Sequence, residues 1–320
     1  MICSFLHLKT VIIVVAMLAK RLHENKGKRF LATLVRKPIQ FLSPVSYVKF
    51  QYKYITHHKL NLKNPLRYTE KLQYLRLFVY PKMDEVSRLA SRDGAREYLK
   101  EKGYENLLIP SLGVYDSFEE IPFETFPNSF VLKCTHASGW NEIVKDKSHW
   151  DQEKAKKKFH KWLRSDYGEK TTEPHYSKIK PRILVEQYIG EKDALPAEYK
   201  IHVYNGKARY LYVVTGRGKD IRYNHYYIDW TPCDGAQFNG WQKADYPLKK
   251  PNNLAEMARI AEKLAEPFPF VRVDLYDIDG KIYFGEMTFT PAKGTLIFDD
   301  DEVDFEQGKW LDITKEIKTN

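Results

Sequence analysis

Cysteine is scarce in this chain of 320 residues, which has three, at positions 3, 134 and 233. They lie far apart and form no Cys-x-x-Cys pair, so the sequence predicts neither a disulfide framework nor a zinc site and fits a reducing compartment. The glycine patterns GxGxxG and GxxxxGK[ST] do not occur either. Their absence argues against the Rossmann and P-loop modes of nucleotide binding.

Apolar runs long enough to cross a membrane are also missing. Residues 11–19 (VIIVVAMLA) form a run of nine, whereas a spanning helix needs about 20 apolar residues. Basic residues follow at 20–29, where a signal peptide would carry small residues for cleavage. A short helix of this kind can rest on an anionic membrane face or pack on the domain. We expect a cytoplasmic protein, and the sequence leaves open a peripheral contact through residues 1–30 with the inner face of the plasma membrane.

Basic residues outnumber acidic ones, 52 to 42, which gives a net charge of +10. Such an excess favours acidic ligands, among them phosphates, anionic lipid headgroups and acidic glycans. No zinc-finger spacing, basic-region heptad or aromatic RNA-binding motif is present, so we expect no nucleic-acid partner. The 22 Tyr, 17 Phe and 6 Trp residues are ample for a buried core.

Hydrophobic periodicity predicts a helical first part and a strand-rich second part. Helices are predicted at 69–78, capped by Thr69, and at 84–102, and further helices begin near Ser148 and Asn253. Strands are predicted at 107–115, 129–134, 183–189, 199–204, 208–215, 223–229, 270–278 and 281–288. Strands that follow one another, with helices set to one side, indicate an α+β fold.

The last two strands form a hairpin that carries one arginine and two carboxylates. A two-residue turn at 279–280 would leave Asp274 and Glu286 on opposite faces of the sheet. A three-residue loop at 278–280, with Gly280 left-handed, would place Arg272 opposite Glu286 and Asp274 diagonal to it. We predict the three-residue loop, because it gathers the charged residues on one face.

Two carboxylates at this spacing can hold Mg²⁺, which prefers oxygen ligands and bridges nucleotide phosphates. A neighbouring arginine can take up phosphate charge during transfer. The alternative is a solvated strand face with an ordinary Arg–Glu cross-strand pair.

The order of several segments carries more information than any one of them. Lys133 ends a strand before a loop of small residues at 135–139, Glu186 lies in a strand that leads into a turn, and Glu198 and Lys200 share the next strand. The segments that match a known family are YTEKLQYL, LIPSLGVYDSFEEI, SFVLKCTHASGWNEIVKDK, KPRILVEQYI, EYKIHVYNGK and FPFVRVDLYDIDGKIYFGEMTFTPAKG. In order and spacing, over about residues 65–298, they resemble the TupA-like (teichuronopeptide biosynthesis) family of ATP-grasp proteins.

The resemblance implies an α+β ATP-grasp fold, in which two α+β subdomains hold the nucleotide between antiparallel sheets, plus a helical N-terminal region. It implies an ATP-grasp domain at 65–320. The composition of residues 1–64, which lie outside the match, predicts a basic leader or helical region there, with the membrane contact left open. Within that domain we expect a helical linking part at 65–130, a small subdomain at 131–190, a metal and phosphate subdomain at 191–298 and a tail at 299–320.

The resemblance also implies roles for individual residues. The expected cofactors are ATP and Mg²⁺. The expected nucleotide-binding residues are Lys133, His136, Ser138, Gly139, Glu186, Gln187, Tyr188, Ile189, Glu198 and Lys200. The expected metal ligands are Asp274, Glu286 and Thr288. Arg272 and Lys200 are the expected catalytic cations.

The implied reaction is phosphoryl transfer from ATP to a carboxylate, followed by attack of an amine on the acylphosphate. Its implied setting is bacterial cell-surface polysaccharide or teichuronopeptide-type polymer biosynthesis in the cell envelope, with a carboxylate, amine or glycan acceptor as partner. Three positions depart from the ATP-grasp pattern. Thr288 replaces the usual Asn, and Ala137 and Trp140 replace glycines, which stiffens the loop.

Two rival functions remain open. One is a metal-dependent glycosyltransferase that uses Asp277-Ile278-Asp279 as a DxD motif, although Asp279-Gly280 is also ordinary turn chemistry. The other is a catalytically degenerate nucleotide-binding scaffold, which the altered loop favours. Two further features have open interpretations: the loop at 216–219 closes on phosphate or is a hairpin tip, and the alternating residues at 223, 225 and 227 line an acceptor cleft or cover the sheet.

Overall fold

The computed structural model describes residues 40, 43–190 and 195–314. Backbone contacts group the chain into two units, Met1–Leu60 and Asn61–Asn320. In the first unit, helix α1 spans Pro44–Thr56, with the Ser43 side chain accepting a hydrogen bond at its N-terminus. The apolar run at 11–19 and the basic stretch after it lie outside the described residues. None of the helices within the described ranges is long and apolar enough for a membrane crossing.

The second unit contains the remaining described helices. Their bounds are α2 Tyr68–Tyr74, α3 Asp84–Ala90, α4 Arg92–Glu101, α5 Gln152–Leu163, α6 Tyr167–Thr171, α7 Pro174–Ser177, α8 Leu254–Leu264 and α9 Asp301–Trp310. Helix α2 continues into a π-helical turn at Leu75–Val79. Short 3₁₀ turns lie at Tyr80–Lys82, Glu105–Leu107, Phe123–Thr125, Lys147–His149, Asp234–Ala236 and Pro291–Gly294.

The predicted helix at 84–102 is two helices, because the chain is extended at Ser91 (φ −75°, ψ 137°). The hydroxyl of Ser91 donates to the carboxylate of Asp93, which also accepts from the N–H of Gly94 at 3.1 Å. Serine and aspartate offer the backbone such local hydrogen bonds in place of helical ones, and so favour helix ends.

The predicted cap at Thr69 is also wrong, since α2 begins one residue earlier, with Arg67 as the N-cap and Glu70 closing the capping box. Thr69 instead bonds to Asp304 of α9, through its N–H at 2.9 Å and its hydroxyl at 2.7 Å. Helix α9 itself occupies the segment that the sequence predicted to be a tail. The side chain of Asp300 caps its first turn, which explains why an acidic run begins a helix here.

The first sheet has four antiparallel strands. They are β1 Ser111–Tyr115, β2 Phe130–Cys134, β3 Asn141–Val144 and β4 Ile183–Gln187, in the order β1-β4-β2-β3. Along β2, Phe130, Leu132 and Cys134 are buried while Val131 and Lys133 are partly exposed. Because strand residues alternate between faces, one face of this sheet carries the small core and the other is free to meet a ligand.

The second sheet has five antiparallel strands. They are β5 Glu198–Tyr204, β6 Lys207–Thr215, β7 Arg222–Tyr227, β8 Phe270–Ile278 and β9 Lys281–Thr288, in the order β7-β6-β5-β8-β9. Helix α8 packs on β5, β6 and β8 and buries Met257 and Leu264 completely. Burial of each of these side chains stabilises the fold by about 1.5–3 kcal/mol. The fold is therefore α+β, as predicted. The subdomain bounds inferred from the sequence stay predictions.

Candidate active site

The turn of the β8–β9 hairpin differs from the one predicted. Asp279 (φ 52°) and Gly280 (φ 81°) are both left-handed, and Ile278 pairs directly with Lys281. A two-residue turn with two positive φ angles matches the right-handed twist of the strands. The predicted three-residue loop is therefore wrong.

A β-bulge at Gly285 nevertheless brings the carboxylates together. The register shifts between Asp274 and Leu275, so that Asp274 pairs with Glu286 and Arg272 pairs with Thr288. A Cβ atom on Gly285 would lie 3.0 Å from the carbonyl oxygen of Asp274, so glycine allows this close approach. The extra residue of a bulge returns the side chains that follow it to the face required.

Arg272 lies at the centre of this cluster. Its Nε and Nη2 donate to the two oxygens of Asp274 at 2.6 and 2.8 Å. Nη2 also lies 3.3 Å from Oε1 of Glu286 and 2.9 Å from Oγ1 of Thr288. One guanidinium nitrogen thus touches all three predicted metal ligands, as a charge-assisted network.

A second cation and a third carboxylate extend the cluster along β5. The Lys200 ammonium contacts Asp274 and lies 2.9 Å from Oε1 of Glu198. The other oxygen of Glu198 accepts from Nη2 of Arg217 at 2.6 Å. Because buried charges need partners, this alternation of signs lets the sheet carry four buried charged groups, Glu198, Lys200, Arg272 and Asp274.

The surroundings tune the two hairpin carboxylates in opposite directions. Burial raises the pKa of a carboxyl group, but at Glu286 nearby cations lower it to about 2, with Arg92 contributing most and Lys200 next. At Asp274 burial is the largest influence and raises the pKa, against the lowering influence of Arg272 and Lys200. Glu286 is therefore a carboxylate throughout the neutral pH range.

The donor set fits a magnesium ion that binds together with phosphates. Within the described ranges, no group of three or more His, Cys, Asp or Glu side chains could hold a metal by itself. Asp274 and Glu286 supply two carboxylates, and Mg²⁺ is usually held by one or two carboxylates plus substrate phosphates and water. The hydroxyl of Thr288 lies 3.2 Å from Glu286 and offers one further oxygen.

A cavity of about 520 Å³ lies between the two sheets, within the usual range for small-molecule sites. Its apolar lining includes Ile109, Val131, Ile143, Ile189 and Leu195. Its charged lining includes Arg92, Lys133, Glu198, Lys200, Arg217, Arg272 and Glu286. Apolar and charged residues lining one cavity suit a ligand with a ring system and an anionic tail.

Most of the residues predicted from the sequence lie on this cavity. Those that line it are Lys133, Ser138, Gly139, Gln187, Tyr188, Ile189, Glu198, Lys200, Arg272 and Glu286. Asp274 and Thr288 do not line it, but both lie within hydrogen-bonding distance of Arg272, which does. The structure therefore brings the predicted phosphate and metal residues together, and their individual roles stay predictions.

Two predicted nucleotide ligands are not among the residues that line the cavity. The imidazole of His136 is 2% exposed, with Nε2 3.2 Å from the carbonyl oxygen of Trp162, so it packs in the small core. Glu186 was expected beside the adenine, but its carboxylate lies 2.5 Å from Nζ of Lys133 and 2.8 Å from Nη1 of Arg96. In this position it orients Lys133.

Sequence reasoning missed the cation Arg92 and left the role of the loop that carries Arg217 open. Arg92 lies 3.3 Å from Glu286, at the first residue of α4, and the break at Ser91 that places it there was not predicted. Arg217 extends from the loop at 216–219, between Gly216 (φ 67°) and Gly218 (φ 87°). Its Gly-Arg-Gly pattern was the available signal.

The model of the TupA-like ATP-grasp family matches residues 70–312. The chain belongs to this family. The resemblance inferred from the segments and the ATP-grasp fold are thereby confirmed. No protein of curated function matches the sequence.

Solved structures of ligases are similar to this chain at low identity. They include the D-alanine–D-alanine ligase of Bacillus anthracis complexed with ATP, at 13% identity and a TM-score of 0.39, covering 64% of this chain and 56% of that one. The L-amino acid ligase of Bacillus licheniformis has 14% identity and a TM-score of 0.42, with 68% and 53% covered. The D-alanine–D-alanine ligase of Helicobacter pylori has 16% identity and a TM-score of 0.41, and the match covers 77% of this chain and 67% of that one. The TupA-like chain thus spans only about half to two thirds of these proteins.

Proposed function

We propose that this protein is an ATP-dependent ligase that activates a carboxylate as an acylphosphate and joins it to an amine. The observation that carries the proposal is the convergence of three cations, Lys133, Lys200 and Arg272, with the carboxylate Glu286 on one cavity. Developing charge on a transferring phosphoryl group is stabilised by fixed cations of this kind.

The apolar lining of the cavity is suited to the adenine. Val131 and Ile143 project from β2 and β3, and the segment Gln187 to Ile189 passes beside them. The main chain of this segment offers hydrogen-bonding groups to the edge of a base, while the aliphatic side chains cover its faces. Ser138 and Gly139 lie on the same cavity, where backbone N–H groups can meet phosphate oxygens.

Asp274 and Glu286, with the hydroxyl of Thr288, would hold the magnesium ion. When bound, the ion supplies neutralisation of phosphate charge. Arg272 bonds to all three of these residues, so its guanidinium is positioned to exchange partners when phosphates arrive. Lys200, paired with Asp274 and Glu198, is poised to do the same.

In the proposed reaction, an oxygen of the substrate carboxylate attacks the γ-phosphorus of ATP, and the bond to the β-phosphate oxygen breaks. ADP leaves with the electron pair, and the acylphosphate remains. The amine then attacks the acyl carbon, phosphate departs, and the amine loses a proton to give the amide. Neither step needs a covalent nucleophile from the protein, only positioning and charge.

The biological setting is also part of the proposal. We place the reaction in the cytoplasm, with a peripheral membrane contact through residues 1–30 left open, and assign it to cell-envelope polymer synthesis. The support for this setting is membership of the TupA-like family.

One observation favours the degenerate scaffold as a second candidate. Trp140, which replaces a glycine, stacks on Trp162 with ring centroids 5.8 Å apart and an angle of 7°. Ala137 beside it is 3% exposed. A loop held in this way closes less freely over phosphate than a glycine-rich one.

The glycosyltransferase alternative finds less support. Oδ1 of Asp277 accepts a hydrogen bond from the N–H of Gly280 at 3.1 Å, and Asp279 occupies the turn. Neither aspartate lines the cavity. The DxD residues thus form and stabilise the hairpin turn.

The test measures ADP release from labelled ATP in the presence of Mg²⁺ and pooled carboxylates and amines. We expect ADP release that depends on both substrates and falls about 100-fold in Glu286→Gln, but not in the exposed control Glu256→Gln. Transfer from a nucleotide-sugar without ATP cleavage would contradict the proposal. ATP binding without ADP release under any acceptor mixture would favour the scaffold.

A further inference from the structure

The cavity has an aromatic part that the proposed nucleotide contacts do not use. Tyr223 of β7 and Trp241, from the segment between β7 and α8, both line it. Their ring centroids lie 4.2 Å apart at an angle of 39°. Both side chains are only partly buried. They therefore present apolar ring surface to the cavity, on the side of β5 opposite to β8 and β9.

This aromatic wall is held in place by contacts within the protein. Trp241 packs edge-on against Phe238, with centroids 4.8 Å apart, and Phe238 is 2% exposed. The N–H of Trp241 donates to the carbonyl of Phe238 at 2.9 Å, and its own carbonyl accepts from Gln237 at 2.6 Å. A preformed wall binds a ligand without the cost of ordering it.

One tyrosine ring separates the wall from the guanidinium of Arg272. The Trp241 and Tyr212 centroids are 6.1 Å apart, and Cζ of Arg272 lies 5.9 Å from the Tyr212 centroid. The Tyr212 hydroxyl accepts from Nη1 of Arg272 at 3.1 Å. A ligand that packs on the wall can therefore reach Arg272 with a substituent about one ring away.

We propose that this part of the cavity binds the substrate to be activated, and that this substrate is a carboxylate carried on a ring. The ring packs on Tyr223 and Trp241, and the carboxylate points to Arg272, where the phosphates converge. The inference rests on the proposed ligase function and adds the substrate class. An acyclic carboxylate would leave the flat apolar wall in contact with water and would lose that burial.

Direct binding tests the idea without turnover. Isothermal titration would compare two ring carboxylates, benzoate and D-glucuronate, with acyclic L-glutamate and acetate. The full chain would be loaded with Mg²⁺ and a non-hydrolysable ATP analogue. We expect the ring carboxylates to bind about tenfold more tightly than the acyclic ones.

Variants locate the effect at the wall. Trp241→Ala should weaken ring-carboxylate binding about tenfold and leave the Kd of the ATP analogue within about twofold, and Trp241→Phe should restore most of the affinity. Tyr246→Ala is the matched control, since Tyr246 lies in the same segment, is 58% exposed and does not line the cavity. If Trp241→Ala does not fold, Tyr223→Leu tests the other half of the wall.

Equal affinity for ring and acyclic carboxylates would overturn the inference. So would a loss of ATP-analogue affinity in Trp241→Ala or Tyr223→Leu, because the base would then occupy the aromatic part. The proposed function fails separately: if ring carboxylates bind selectively but no ADP is ever released, the binding site stands and the ligase does not.

Discussion

The four-stranded sheet turns Val131 and Ile143 toward the cavity, together with the single cation Lys133, which Glu186 holds at 2.5 Å. The five-stranded sheet turns a continuous network of charges toward the same cavity, and its central members, Lys200 and Arg272, are 5% and 7% exposed. The first surface suits shape and apolar contact, and the second suits charge. We propose that the first sheet contacts the base, with Lys133 reaching the phosphates, and that the second sheet supplies most of the phosphate-binding charge.

The two surfaces also differ in their effect on the stability of the folded protein. Apolar residues that face a cavity lose some burial, whereas a buried charge without a partner costs several kcal/mol. The second sheet avoids this penalty by pairing each buried charge, and Asp274 neutralises both Arg272 and Lys200. Changes there should therefore affect stability and function together, whereas changes of the apolar residues Val131 and Ile143 on the first sheet should mainly affect ligand affinity.

The largest expected effect follows from removing the charge of Asp274, which is completely buried. Asp274→Asn leaves two cations without their shared partner, and we expect the free energy of unfolding to fall by about 3–5 kcal/mol. Denaturant unfolding measures it. Asp277→Asn, on the same strand near the turn, is the control and should change stability by less than about 0.5 kcal/mol. Equal stability of Asp274→Asn and wild type would show that the network is not paired as described.

A smaller effect is expected at the one cation of the first sheet. Lys133→Met should raise the Kd for ATP about tenfold, because a charge-assisted hydrogen bond to phosphate is lost. Titration calorimetry measures the Kd. The control is Lys145→Met, since Lys145 follows β3, is exposed and does not line the cavity. Unchanged ATP affinity in Lys133→Met would remove this sheet from phosphate binding.

The lowered pKa of Glu286 predicts a specific dependence of stability on pH. Its pKa is about 2 in the folded protein against an ordinary 4.5, so its stabilising contribution is complete above about pH 4.5 and is lost as the pH falls toward 2. Glu286→Gln lacks this component. Because 26% of the side chain is exposed, we expect the stability difference between wild type and variant to shrink by only about 1 kcal/mol between pH 6 and pH 3. A difference that is constant with pH would contradict the assigned ion pairs.

The smallest expected effect concerns the apolar surface. Ile143→Ala should weaken ATP binding about threefold, as expected for partial loss of one aliphatic contact of about 0.6 kcal/mol. Val114→Ala on β1 is the matched control, since Val114 is 40% exposed, against 39% for Ile143, and lies off the cavity. Similar ATP affinity in both variants would mean that the base does not contact β3.

The α+β class and the strands of the second sheet could be predicted because these strands are long runs in which apolar and polar residues alternate regularly. The helix break at Ser91 and the short polar strand β3 could not, since each depends on local hydrogen bonds or on neighbouring strands. The hairpin shows the limit most clearly. Asp279-Gly280 is an ordinary two-residue turn signal, but the bulge that corrects the register leaves no sequence pattern beyond Gly285, whose lack of a side chain allows the close approach to Asp274.

The candidate site was predictable where residue type and segment order agreed, as at Lys200, Arg272 and Glu286. It was not predictable at Arg92, whose position depends on the unforeseen start of α4. Trp241 illustrates a second reason. It lies in an irregular segment between β7 and α8 that has no hydrophobic periodicity. Only the folded chain therefore shows that Trp241 reaches the cavity.

A crystal structure of the full chain with Mg²⁺ and a non-hydrolysable ATP analogue would test most directly which sheet contacts the base and which supplies most of the charge that meets the phosphates. The account predicts the base against Val131 and Ile143, phosphate oxygens within about 3 Å of the Lys133 and Arg272 nitrogens, and the metal on Asp274 and Glu286. A base packed on Trp241, or phosphates away from the charged network of the second sheet, would contradict it.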